Sequence, residues 1–197
     1  MPRRYFKRYR MEYDLVRQEP PAAVLPDGFD WVDWNGSTVE QHAVVKFRAF
    51  RGGVDAEVFP SLASYPGCLN LMRQIVGRVD FIPRATWLIV STASDVLGPV
   101  PIGTIQTVAP VQNRAAVQNV GIVPEFRGCG LGRALVARSL LSMRSQGFER
   151  ATLEVTARNG NAVALYESLG FRKARTSYRS VKVPRRAAVR LEPLPAR

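Results

Sequence analysis

The segment over residues 120–133, Val-Gly-Ile-Val-Pro-Glu-Phe-Arg-Gly-Cys-Gly-Leu-Gly-Arg, constrains the fold more than any other. An apolar strand ends at Pro124, and Gly128, Gly130 and Gly132 then alternate into the start of a helix. Glycine admits positive φ and lets the backbone approach a ligand, so consecutive N–H groups can converge on one anion. The positive end of the helix dipole adds to that field, and Arg127 and Arg133 add formal charge. The ligand implied is a pyrophosphate. Spacing removes two of the usual candidates. A Walker loop needs Gly-Lys-Ser/Thr, which occurs nowhere in the chain. A dinucleotide fingerprint aligned on Gly128 and Gly130 needs a third glycine where Arg133 stands.

The 197 residues suit one domain with a core that needs no disulfide or metal staple. Cys68, Cys129 and the single His42 cannot make a Cys/His zinc site, so no metal is expected. No apolar run approaches the ~20 residues needed to span a membrane. The N-terminus is charged without an apolar stretch behind it, so the chain reads as intracellular and cytoplasmic, with no membrane partner. Charge is unevenly spread. Residues 1–10 carry five basic groups and no acid, and residues 172–197 carry nine against Glu192 alone. The formal +12 therefore sits in the two ends. They read as solubilising extensions, or as arms that favour polyanions, RNA or an acidic partner.

Alternation of Met11, Tyr13 and Leu15 with acidic residues predicts a strand over 11–17, and a second is expected over 29–34. Ser37 and Glu40 form a capping-box pattern that opens a helix to about residue 50, and another helix is expected near 69–76. Strands follow over 87–90, 102–108 and 115–123, then a helix from 131 to about 146. A strand over 151–156, a short helix over 159–169 and an extended stretch over 171–183 complete the domain. The last residues read as a tail, or as a final strand at 187–191. This order argues a mixed α/β sheet in one domain.

Arg127-Gly128-Cys129-Gly130-Leu131-Gly132 resembles the Arg/Gln-x-x-Gly-x-Gly/Ala motif of the GNAT acyltransferase superfamily. The second block, Asn159-x-x-Ala162-x-x-Leu165-Tyr166-x-x-x-Gly170-Phe171, is similar to that family's Asn-x-x-Ala-x-x-Leu-Tyr-x-x-x-Gly-Phe. Leu153-Glu154-Val155 followed by Asn159 and Tyr166 is closest in motif to the ribosomal-protein alanine N-acetyltransferase subgroup. The resemblance implies a mixed, mostly antiparallel central sheet (α/β, or α+β) with helices on both faces and the pyrophosphate loop at a strand–helix junction. It also implies three parts: a basic extension with an added strand over 1–19, the acetyltransferase domain over 20–183, and a basic proline-containing tail over 184–197. Residues 1–19 would supply that strand or a contact to a second subunit in a homodimer.

The same resemblance implies acetyl-CoA as acyl donor and a primary amine as acceptor, either a protein N-terminus or a small molecule. Val120, Gly121 and Ile122 would meet the pantetheine arm and thioester, and Arg127, Gly128, Cys129, Gly130, Leu131, Gly132 and Arg133 the pyrophosphate. Asn159 would help position the arm, or act as a plain N-cap. Tyr166 matches the general acid for the departing thiolate, although Ala162, Leu165, Tyr166 and Leu169 share one helical face and also read as core. Glu154 points away from Leu153 and Val155, with Thr152 and Thr156, and is the general-base candidate; pairing with an arginine is the structural alternative. His42 reads as a surface residue. A catalytically silent CoA-binding module or an RNA-associated protein is the alternative class, although scattered arginines without stacking aromatics argue against nucleic acid as partner.

Overall fold

The computed structural model describes residues 3–92 and 98–182. Seven strands form one sheet: β1 (Arg3–Asp14), β2 (Phe29–Asp33), β3 (Trp87–Ser91), β4 (Val100–Val111), β5 (Arg114–Ile122), β6 (Arg150–Thr156) and β7 (Arg172–Lys182). Their order is β2-β3-β4-β5-β6-β1-β7. Every adjacent pair is antiparallel except β5 with β6. Five helices accompany the sheet: α1 (Val39–Phe50), α2 (Val54–Val58), α3 (Tyr65–Val76), α4 (Leu131–Ser145) and α5 (Gly160–Ser168). This is the mixed, mostly antiparallel architecture that the sequence predicts.

Strand alternation sorts β4 between two helical layers. Thr104 and Gln106 meet His42 of α1, whereas Thr107 meets Ser139 of α4. On the α4 side, Leu131, Leu135, Val136, Leu140 and Met143 are buried against Met11, Leu153 and Val155. On the other, α1 and α3 close a smaller cluster around Ala43, Leu62, Cys68 and Met72. Among the described residues, no helix is long and apolar enough to cross a membrane.

Four differences from the sequence reading have physical causes. Asn35, not Ser37 with Glu40, starts the first helical segment: its side chain accepts from the Ser37 amide at 3.0 Å, and Thr38 reciprocates. Helix α3 begins at Tyr65, because Ser64 caps the Gly67 amide at 3.2 Å and Pro66 sits in a first turn that needs no N–H from it. Helix α2, at five residues, is too short to show a period. The largest difference is the extent and place of β1, expected as an added strand within 1–19 with alternation only over 11–17, and observed over Arg3–Asp14 as an inner strand. Residues 3–10 are no solvated arm, since they pair with β7 from Arg3↔Lys182 to Arg10↔Arg175, while residues 8–14 pair with β6. Phe6 and Arg8 are buried there. The arginines conceal the alternation that marks an inner strand. The expected tail over 184–197, with its alternative strand at 187–191, lies outside the described residues.

Candidate active site

Strand β5 pairs with β6 only from Arg114↔Arg150 to Val117↔Leu153. At that point Gln118 is an extra residue against β4, because Thr107 pairs with Val117 and Gln106 with Asn119. A bulge bends its strand and sharpens the twist. β5 thus turns away from β6, and the edge of residues 118–122 towards β6 has no strand partner among the described residues. Val120, Gly121 and Ile122 lie on this opened stretch.

A cleft of about 750 Å³ runs from Val120, Gly121 and Ile122 over Gly128, Gly130, Leu131, Gly132 and Arg133, with Asn159 and Tyr166 on its other side. Gly128 and Gly130 have φ of +83° and +78°, a region that favours glycine, and a Cβ at either would enter open space. The first bond of α4 is from the Ala134 amide to the Gly130 carbonyl. Among the described residues, the amides of 128–133 have no acceptor, so a row of donors faces outward at a helix start. That cradle fits a pyrophosphate. Two predicted contributors differ in detail. The Arg127 guanidinium donates to the Ala49 carbonyl at 2.6 Å and to the Ile122 carbonyl at 3.1 Å, tying the end of α1 to the end of β5. Cys129 is exposed and turns its thiol to the Arg127 carbonyl, away from the cleft lining.

A second cleft of about 450 Å³ adjoins the opened strand and includes Arg8, Asp55, Phe59, Asn119 and Glu154. The two clefts share Phe50, Asp55, Val120, Asn159, Ala162 and Tyr166. Tyr166 is 8% exposed, and its ring packs edge-on against Phe171. Its hydroxyl has no hydrogen-bond partner among the described residues. Burial first, and the Asp55 carboxylate second, push its pKa upward, so the phenol keeps its proton at neutral pH. Both readings of this residue, core and cleft, describe it.

Glu154 lines only the second cleft, on the face shared with Thr152 and Thr156. Its carboxylate is 3.4 Å from the Arg8 guanidinium and keeps 59% of its side-chain surface exposed. Asn159 caps α5 through the Ala162 amide, and its Nδ2 donates to Asp55. Asp55 also accepts from Thr156 Oγ1 at 2.8 Å. The sequence reading missed Asp55, which sits in a helix too short to advertise itself.

His42 is fully buried, not a surface residue. Its Nδ1 lies 2.7 Å from Thr104 Oγ1, and burial, then neighbouring Lys46, lowers its pKa to about 3. Lys46 is also fully buried and donates to Asn119 Oδ1 at 2.8 Å. Burial lowers its pKa to about 7, with Cys68 opposing the shift.

A sheet opened beside an outward row of amides and a second adjoining cleft is the layout of a group-transfer enzyme. The chain belongs to the acetyltransferase (GNAT) family, whose model matches residues 72–171. It is 30% identical over 154 residues to a mycothiol acetyltransferase from Beutenbergia cavernae, a match covering 76% of this chain and 47% of that one. It is 41% identical over 64 residues to the ribosomal protein bS18-alanine N-acetyltransferase of Escherichia coli, covering 32% of this chain and 43% of the relative. The chain thus spans about half the length, or less, of these curated relatives in the matched stretches. Among solved structures, a GCN5-related N-acetyltransferase from Sphaerobacter thermophilus superposes with a TM-score of 0.65 at 20% identity, over 90% of this chain and 51% of that one. The Escherichia coli ribosomal-protein-S18-alanine N-acetyltransferase superposes at 0.54 with 18% identity, over 81% and 98% respectively.

Proposed function

We propose that this protein transfers an acetyl group from acetyl-CoA directly to a primary amine, on a protein N-terminus or a small molecule. Acetyl-CoA supplies a thioester carbonyl activated for attack by nitrogen. The donors over residues 128–133 hold its pyrophosphate, and the free edge of β5 at Val120, Gly121 and Ile122 pairs with the pantetheine arm and polarises the carbonyl. Glu154, in the acceptor cleft, takes a proton from the incoming ammonium through water. The amine nitrogen then bonds to the carbonyl carbon, releases its second proton to water, and the carbon–sulfur bond breaks. Tyr166 gives its proton to the departing sulfur and recovers one from solvent. The products are the N-acetyl amine and CoA thiol.

One observation carries this reading: the two clefts meet at Val120 and Tyr166, beside the stretch of β5 that no longer pairs with β6. The test is CoA release from acetyl-CoA against panels of amines and peptides, with thermal unfolding at rising acetyl-CoA. Amine-dependent release and a Tm that climbs once ligand exceeds Kd are expected. Absence of a Tm shift at millimolar acetyl-CoA removes the donor assignment. A shift without release for any amine favours a silent CoA-binding module.

A further inference from the structure

We infer that the amine acceptor carries an oxyanion, carboxylate or phosphate, within a few bonds of the reacting nitrogen, and that Arg10 and Arg179 receive it. This rests on the second cleft being the acceptor site.

The cleft is lined by three guanidinium groups, Arg8, Arg10 and Arg179, and two carboxylates, Asp55 and Glu154. Both carboxylates are already engaged. Asp55 uses one oxygen for Thr156 and the other for Asn159, and Glu154 faces Arg8. Arg8 is equally occupied: it also donates to Thr156 Oγ1 at 3.0 Å and lies over the Phe59 ring at 4.8 Å.

The other two cations are poorly matched. Arg10 lies 3.5 Å from Glu12, but that carboxylate is shared with Arg150 at 3.6 Å and Arg114 at 3.9 Å. Arg179 stacks over Phe59 at 4.4 Å and has no carboxylate in ion-pair range among the described residues. In the β1–β7 register Arg10 also stands directly opposite Arg175, which likewise has no acidic partner among the described residues, while across β6 it stands opposite Glu154, whose carboxylate is turned to Arg8. Like charges placed opposite each other across strands are destabilising. An arriving oxyanion relieves that repulsion, and a guanidinium fork matches carboxylate or phosphate in two parallel bonds.

The arrangement also bears on the nitrogen. An ammonium without an anion of its own enters a cleft in which three guanidinium groups outnumber two carboxylates. One that carries an oxyanion arrives neutral or negative, and its amine still meets cations that favour loss of the proton. Strand β1 places Arg8 and Arg10 here, and β7 places Arg179, so the feature belongs to the order of the strands.

The test uses the full chain with CoA present. Calorimetric binding is compared for O-phosphoethanolamine, β-alanine and ethanolamine, and for short peptides with free N-termini beginning with Asp, Ser or Lys. CoA release gives kcat/KM for the same amines. Anionic amines should bind at least about tenfold more tightly than their neutral counterparts at low salt, with the gap narrowing as salt rises. The two small anions separate phosphate from carboxylate, and the peptides separate a polypeptide acceptor from a small one. Arg179→Gln should reduce affinity for anionic amines about tenfold more than for neutral ones, Arg179→Lys should recover part of the loss, and Arg179→Glu should favour the Lys-first peptide. Equal binding of all three charge types, or equal loss for all of them in Arg179→Gln, overturns the inference. So does tighter binding of single-stranded RNA than of any anionic amine. A normal acetyl-CoA-dependent Tm shift without anion preference rejects this inference and leaves the proposed function standing. Arginine-dependent anion binding without an acetyl-CoA shift rejects the proposed function and, with it, the reading of the bound anion as part of an acceptor.

Discussion

Asp55 accepts a hydrogen bond of 3.0 Å from the side-chain amide of Asn159, joining the short helix α2 to the start of α5 where the two clefts meet. The same carboxylate takes the Thr156 hydroxyl, so one residue holds the end of β6 and the cap of α5 together. Asp55→Ala should leave both groups without their partner and lower stability by roughly 2 kcal/mol, measured by urea unfolding. It should also raise the KM for acetyl-CoA, because Asn159 loses its anchor. Unchanged KM would confine Asp55 to folding.

Tyr166→Phe removes only a hydroxyl that has no hydrogen-bond partner among the described residues, so the fold should be kept. With the thiolate's proton donor gone, kcat should fall about 100-fold with little change in KM for acetyl-CoA. Glu154→Gln should act most strongly at low pH, where the amine proton is hardest to remove. Wild-type activity in both variants from about pH 6 to 9 would make both residues structural.

Gly130 and Gly132 separate backbone conformation from side-chain space. Gly130 has φ of +78°, so Gly130→Val should be strained by about 1–2 kcal/mol and place bulk over the amide cradle. The acetyl-CoA-dependent Tm shift should disappear. A Cβ on Gly132 meets Leu165 at 3.4 Å, an ordinary contact, so Gly132→Ala should fold normally. A retained ligand shift in Gly130→Val would remove the cradle from the binding site.

Lys46 links stability to alkaline pH. Its folded pKa is lowered to about 7 from the ordinary lysine value of 10.5, so between these limits the unfolded chain binds more protons than the folded one. Stability contributed at this site should therefore rise with pH from about 7 to about 10 and be lost as pH falls through that window. Lys46→Met should flatten the rise and stabilise the protein near pH 7. His42, lowered to about 3 from 6.5, should add an acid-side loss as pH falls from 6.5 towards 3. Urea unfolding across pH tests both. A Lys46→Met profile parallel to wild type would show that burial has not displaced the lysine proton.

Deleting residues 1–10 should abolish cooperative unfolding, because β1 lies between β6 and β7 and its loss breaks both ladders. Near-ultraviolet circular dichroism and thermal unfolding report this directly. A truncated chain with a native Tm would contradict the strand order.

The sequence by itself determined the family, because its motifs are written locally. The glycine loop over 128–132 and the Asn159–Phe171 block need only their own turns and helix starts, and alternation alone put Glu154 on the face opposite Leu153 and Val155. Tertiary structure decided what depends on distant partners. Thr104 and Gln106 bury His42, Asn119 receives Lys46, and Asp55 matters because Thr156 and Asn159 come to it. The basic N-terminus shows the limit most clearly. Its charges resemble a solvated arm until β6 and β7 close on either side, where the backbone ladders, Phe6 and the partly engaged arginines make it an inner strand. Burial and pairing arise between segments far apart in the chain, and a local pattern carries no record of them.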